Sequence, residues 1–166
     1  QVPATLKDIP AGNEFSYLET PATKVLVAPY EAKQIYMAQI SNLDKKYDPA
    51  IEPTRELYNE YFGGGMNSIV FQEMRETRGL AYSAWAGIMP KYPYTIRTQI
   101  ATQNDKMIDA VNTFNDIINN MPESEAAFKL AKEGLINRMR TDRIIKSDII
   151  WTYINAQDLG QSVDPR

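Results

Sequence analysis

The chain has 166 residues, 43% of them hydrophobic and 23% charged, which suits one domain with a substantial core. Its 21 acids and 18 bases leave a net charge of −3, which argues against general nucleic-acid binding, since that needs a basic field. It has no histidine and no cysteine, which excludes a disulfide framework, thiolate metal sites and histidine acid–base chemistry, and leaves zinc only carboxylates, a rare ligand set.

Residues 1–23 read as a loop-like lead-in, broken by Pro3, Pro10, Gly12 and Pro21. The chain begins at Gln1 without an apolar leader, and no stretch approaches the roughly 20 apolar residues of a membrane span. A soluble piece of a longer protein is expected, with any targeting signal outside it. Two strands should follow: Val25 to Ala28, short and apolar, and Gln34 to Ile40, apolar enough to lie inside a sheet. Asp48-Pro49 and Pro53 then open a helix. Its face carries Thr54, Leu57, Tyr58, Tyr61 and Phe62, and Gly63-Gly64-Gly65 stops it.

Asn67 or Ser68 can cap a second helix, Ile69 to Thr77, stopped by Gly79. A strand from Ala81 to Met89 should place Tyr82, Ala84, Ala86 and Ile88 on one face. A turn around Pro90 and Pro93 leads to a partner strand, Thr95 to Thr102, with Ile96 and Ile100 alternating with Arg97 and Gln99. Asn104 is expected to cap the next helix, with Met107, Val111, Phe114, Ile118 and Met121 as its buried stripe. Ser124 begins another, with Phe128, Ala131, Leu135 and Met139 inward, and Ser147 a last one, Asp148 to Leu159, closed by Gly160. The ββαα-ββ-ααα order predicts an α+β fold: an antiparallel or mixed sheet of at least four strands, with helices on one face.

The densest local signal is Tyr61 to Trp85, YFGGGMNSIVFQEMRETRGLAYSAW. Three glycines leave backbone amides uncovered, free to pack closely or to meet a peptide or anion. Arg75 sits near the end of the second helix and Tyr82 at the start of the next strand, so both can reach one edge of a sheet. No Gly-Lys-Ser/Thr follows the glycines, and helix–loop–helix is the wrong order for a phosphate loop. Glu56, Glu60, Glu73 and Glu76 are most simply a solvated face, and Arg138, Arg140, Arg143 and Lys146 a basic run at a helix end. On residues alone, Arg75 reads more simply as a surface ion pair with Glu73 or Glu76, and Tyr82 as a half-buried ring.

This segment resembles the second-domain signature of the pitrilysin/insulinase peptidases and of the related mitochondrial processing peptidase subunits. The likeness runs from about Lys24 to Gly160 within a single half-domain, residues 1–166, and family domains continue through another helix and strand. The resemblance implies two similar halves closing like a clamshell on an extended peptide. One half carries zinc on an inverted His-x-x-Glu-His motif; the other supplies an Arg and a Tyr spaced seven apart. Arg75 and Tyr82 have that spacing, while the aligned stretch Glu56–Glu60, ELYNE, lacks the motif.

It follows that this chain binds no metal. Its expected partner is a zinc-bearing homologous half, on the same polypeptide or a separate subunit, and its expected ligand is a peptide substrate, with no nucleic acid and no membrane span. Zinc in the partner half activates water and polarises the carbonyl. Tyr82 would donate to the developing oxyanion and Arg75 hold the peptide, with Arg78 the competitor for that role; Gly63, Gly64 and Gly65 would contact substrate. Some relatives keep the fold as a structural scaffold only, and a free peptide-binding module is a further reading. The sequence looks bacterial, and relatives of this kind are often exported, so the periplasm or cell envelope is favoured over the cytoplasm.

Overall fold

The computed structural model describes residues 21–43, 45–90 and 94–161. The lead-in prolines and glycine and the turn at Pro93 lie outside or at the margin of these residues. Three antiparallel strands form the sheet: β1 (Gln34–Asn42), β2 (Ser83–Met89) and β3 (Thr95–Gln103), in the order β1-β3-β2. Gln34 pairs with Gln103 and Asn42 with Thr95; Ser83 pairs with Ala101 and Met89 with Thr95. The expected β2–β3 hairpin is present, and the fold is α+β.

Two strand expectations need correction. Val25, Leu26 and Val27 form no strand and are more than four-fifths exposed, so the described sheet has three strands rather than four. Second, among the described residues β1 is an edge strand, not an interior one, because there it pairs with β3 alone. Its inward residue Met37 packs on the core, while Tyr36 and Ile40 lie open on the other face. The apolar run was therefore no guide to strand order: its outward side chains are uncovered among the described residues.

The helices are α1 (Glu52–Phe62), α2 (Ile69–Phe71, continuing as a π-helical turn through Gln72–Thr77), α3 (Met107–Asn119), α4 (Glu125–Thr141) and α5 (Ile149–Asp158). The core is one cluster between the sheet and the first three: Phe62, Val70, Met74 and Phe114 meet Ala84, Ala86 and Ile100. Burying a ring like that of Phe114 contributes about 1.5–3 kcal/mol. The Ser68 and Ser124 hydroxyls accept from the Phe71 and Ala127 amides, as the capping signals predict.

Asn104 is different: it opens a 3₁₀ turn, Asn104–Lys106, and its side chain caps nothing. The buried stripe of α3 is also rotated from the expected one. Phe114 is shared, but Ala110, Thr113 and Ile117 flank it, while Ile118 and Met121 are exposed. Small Ala110 and Thr113 thus share the buried face with Phe114 and Ile117. In α4, Ala131 and Leu135 are buried as expected, but Phe128 and Met139 are about two-fifths exposed. The Phe128 ring still meets Tyr61 edge-on at 6.2 Å, and Arg138 reaches Glu60 of α1 at 2.8 Å. No described helix is long and apolar enough to cross a membrane.

Candidate functional site

The strand directions bring the start of β1, the start of β2 and the end of β3 to one end of the sheet. The approach to β2 is a turn built on Gly79, whose φ of 57° is the left-handed region that glycine enters without a Cβ penalty. The Leu80 and Ala81 amides both donate to the Met74 carbonyl, at 2.8 and 3.2 Å, which closes the helix end tightly against the strand start.

Alternation breaks at Tyr82. Strict alternation would bury it with Ala84 and Ala86, yet it is 70% exposed, and Ser83 beside it is exposed too. The Tyr82 amide donates to the Ala101 carbonyl at 2.8 Å, although Ser83 is the residue paired with Ala101. Two residues thus stand against one at the strand start, an arrangement that re-aims a side chain. Here it turns the phenol out of the core.

Arg75 meets it there. The guanidinium lies over the Tyr82 ring at 5.7 Å and over the Phe71 ring at 5.1 Å, both within cation–π range. Arg75 stands in the π-helical turn, a widened turn often found at functional sites. Its Nε faces Glu76 Oε1 at 3.6 Å, an exposed pair worth little. The Tyr82 hydroxyl has no hydrogen-bond partner among the described residues. Arg75 and Tyr82 line a cavity of about 320 Å³ together with Gln34, Thr102, Gln103 and Lys106.

Arg78 and the glycines are elsewhere. Arg78 ends the π turn, faces Glu73 at 3.5 Å, and does not line the cavity. A Cβ on Gly63 would stand 2.3 Å from the Ala86 carbonyl oxygen, so this glycine lets α1 end directly against β2. Gly64 would meet the Asn59 carbonyl at 2.8 Å, and Gly65 would touch only Glu60. None of the three lines the cavity; Gly64 alone is exposed.

Sequence reasoning missed Phe71, Gln34, Gln103 and Lys106. Phe71 was detectable, since it lies four residues before Arg75 on one helix. The other three come together only through the strand register. It also missed Asn59, whose side chain accepts from the Ile88 amide at 2.8 Å and donates to the Ile88 carbonyl at 3.0 Å, occupying the outer edge of β2.

The residues present do not fit a resident zinc. The chain has no histidine or cysteine, and among the described residues no three acids converge. Glu56, Glu60, Glu73 and Glu76 each face an arginine instead, at 4.0, 2.8, 3.5 and 3.6 Å.

The profile of the family described as "Peptidase M16 inactive domain" matches residues 4–135, and the chain belongs to that family. The pitrilysin-type half expected from the signature is therefore the correct class. The fold is similar to a peptidase M16 inactive domain from Pseudomonas fluorescens, with TM-score 0.58, 19% identity, 81% of this chain covered and 32% of that chain. It is similar also to the inactive domain of a proposed zinc protease from Bordetella parapertussis, with TM-score 0.58, 13% identity, 77% of this chain covered and 72% of that one. A conserved protein from Enterococcus faecalis V583 gives TM-score 0.58 and 18% identity over 78% of this chain and 31% of that chain. The chain thus spans about a third of the Pseudomonas and Enterococcus chains. No curated protein matches it.

Proposed function

We propose that this chain is the substrate-binding half of a clamshell zinc metallopeptidase, with Tyr82 the oxyanion donor and Arg75 the clamp on the peptide. The observation that carries the reading is the meeting of these two side chains at an open sheet end, with the tyrosine hydroxyl uncommitted. A phenol turned out of the core at a strand start serves the fold little, and an exposed arginine stack contributes about 0.5–1 kcal/mol. Attack on a peptide bond places negative charge on the carbonyl oxygen. A tyrosine O–H aimed at that oxygen donates a hydrogen bond that strengthens as the charge grows. The arginine fork donates to peptide carbonyls or a carboxylate and fixes the register of the chain. The ring contact with Phe71 limits the rotamers of Arg75 and readies it for that role. Zinc, when bound, belongs to a homologous partner half and supplies the Lewis acid there. The tie of Arg78 to Glu73, outside the cavity, favours Arg75 as the clamp.

The test is hydrolysis of an unstructured peptide by the full-length protein, with and without a chelator. Chelator-sensitive cleavage is expected. Arg75→Gln should lower kcat/KM about tenfold or more, the scale of one charge-assisted hydrogen bond, at unchanged melting temperature. No cleavage of any tested peptide, with or without added zinc, would favour a scaffold instead, and the Arg75–Glu76 pair would then be a plain surface contact.

A further inference from the structure

The cavity beside Arg75 and Tyr82 has a chemistry of its own. Its charged lining residues are Arg75 and Lys106, both cations; Gln34, Gln103, Tyr82 and Thr102 supply the polar remainder, and no acid lines it among the described residues. Lys106 lies just beyond β3, where its Nζ donates to the Gly79 carbonyl at 3.1 Å. That bond anchors the ammonium at the cavity wall and uses one of its three donors. The remaining two have no partner among the described residues. Arg75 meets Glu76 only through Nε, which leaves both terminal nitrogens of the guanidinium without a hydrogen bond among those residues. The Thr102 hydroxyl is already committed to the Leu80 carbonyl. An opening of about 320 Å³ with two cation heads that keep donors in reserve suits a group that is small, anionic and rich in acceptors.

We propose that this cavity is a subsite for a carboxylate of the bound peptide, an acidic side chain or the free C-terminus, held between Arg75 and Lys106. The proposal rests on the substrate-binding reading above and names the substrate class that reading leaves open: peptides with a negative charge a few residues from the cleaved bond. Lys106 would then set specificity without touching the reacting atoms.

The test uses the full-length protein and a family of unstructured fluorogenic peptides. One set carries a single Glu moved one position at a time, a second has Gln in its place, and each is made with a free and an amidated C-terminus. At one Glu position, or with the free C-terminus alone, kcat/KM is expected to be about tenfold or more above the neutral peptide. The arm that shows the gain identifies the source of the carboxylate. Lys106→Gln should remove that gain and leave the neutral, amidated peptide within about twofold, and Lys106→Arg should restore most of it. Binding of the same peptides by fluorescence anisotropy, with zinc removed by a chelator, separates this inference from the catalytic one. Charge-selective binding without any cleavage would keep the subsite and sink the peptidase. Cleavage or binding with no preference for the charged peptides overturns the subsite. So does an equal loss on charged and neutral peptides in Lys106→Gln, which would make Lys106 a structural tie to Gly79.

Discussion

Two tyrosines stand just before strands at opposite ends of the sheet, and their surroundings could hardly differ more. Tyr94, ahead of β3, is 2% exposed. Its hydroxyl accepts from the Asp48 amide at 3.1 Å and donates to the Asp48 carbonyl at 3.3 Å, and its ring meets Tyr47 at 5.8 Å. Nearby, Arg55 pairs with Glu52 and donates to the Ile88 carbonyl at 2.8 Å, and Asn59 takes both polar groups of Ile88. Every one of these groups is satisfied within the fold. At the other end, Tyr82 is 70% exposed, with its hydroxyl unpaired among the described residues and a cavity beside it. One end closes the domain; the other leaves polar groups and a cation stack facing solvent.

Several substitutions set the two ends against each other. The largest effect on stability should come from Tyr94→Ala, about 3–5 kcal/mol in denaturant unfolding, as for other buried aromatic truncations. Tyr82→Ala, by contrast, should stay within about 0.5 kcal/mol of wild type, as exposed positions do. If the two cost the same, the contrast between closed and open ends is wrong. Asn59→Ala comes next, at about 1–3 kcal/mol, because it strips the Ile88 amide of its acceptor, while the Ile88 carbonyl keeps Arg55. The smallest effect is on pH dependence. Burial raises the Tyr58 phenol above the usual tyrosine value of 10.0. Its folded form therefore keeps its proton where the unfolded chain has lost it, so this contribution is intact below about 10 and declines as pH rises through the folded value. Tyr58→Phe should flatten the alkaline limb of a stability-against-pH curve and leave the neutral region little changed.

The elements that were legible in the sequence were those whose signals are local. The α1 stop at Gly63, the Ser68 and Ser124 caps and the alternation of Ile96 and Ile100 with Arg97 and Gln99 each depend on neighbours within a few residues, and each is present. What was not legible depends on distant packing. α3 buries Ala110, Thr113 and Ile117 in place of Val111 and Ile118, and periodicity alone could not choose between stripes one residue apart. Among the described residues, Val25 to Val27 has strand composition but no partner strand, and Gln34 to Ile40 looks interior yet has one neighbour. The site divides in the same way. The family resemblance of the signature pointed to Arg75 and Tyr82, which their spacing alone did not, whereas Lys106 and Gln34 enter only through the register of β1 on β3. The two-against-one start of β2, which frees Tyr82 from the core, has no marker in the sequence.

The central claim is that the open end acts on a peptide through the Tyr82 hydroxyl. Its most direct test is single-turnover peptide cleavage by the full-length protein carrying Tyr82→Phe, which removes one oxygen and keeps the ring under Arg75. The account predicts a rate about 10²–10³ lower at saturating peptide, with KM and melting temperature near wild type, because the lost hydrogen bond forms fully only as charge develops. A variant that cleaves as fast as wild type would contradict it.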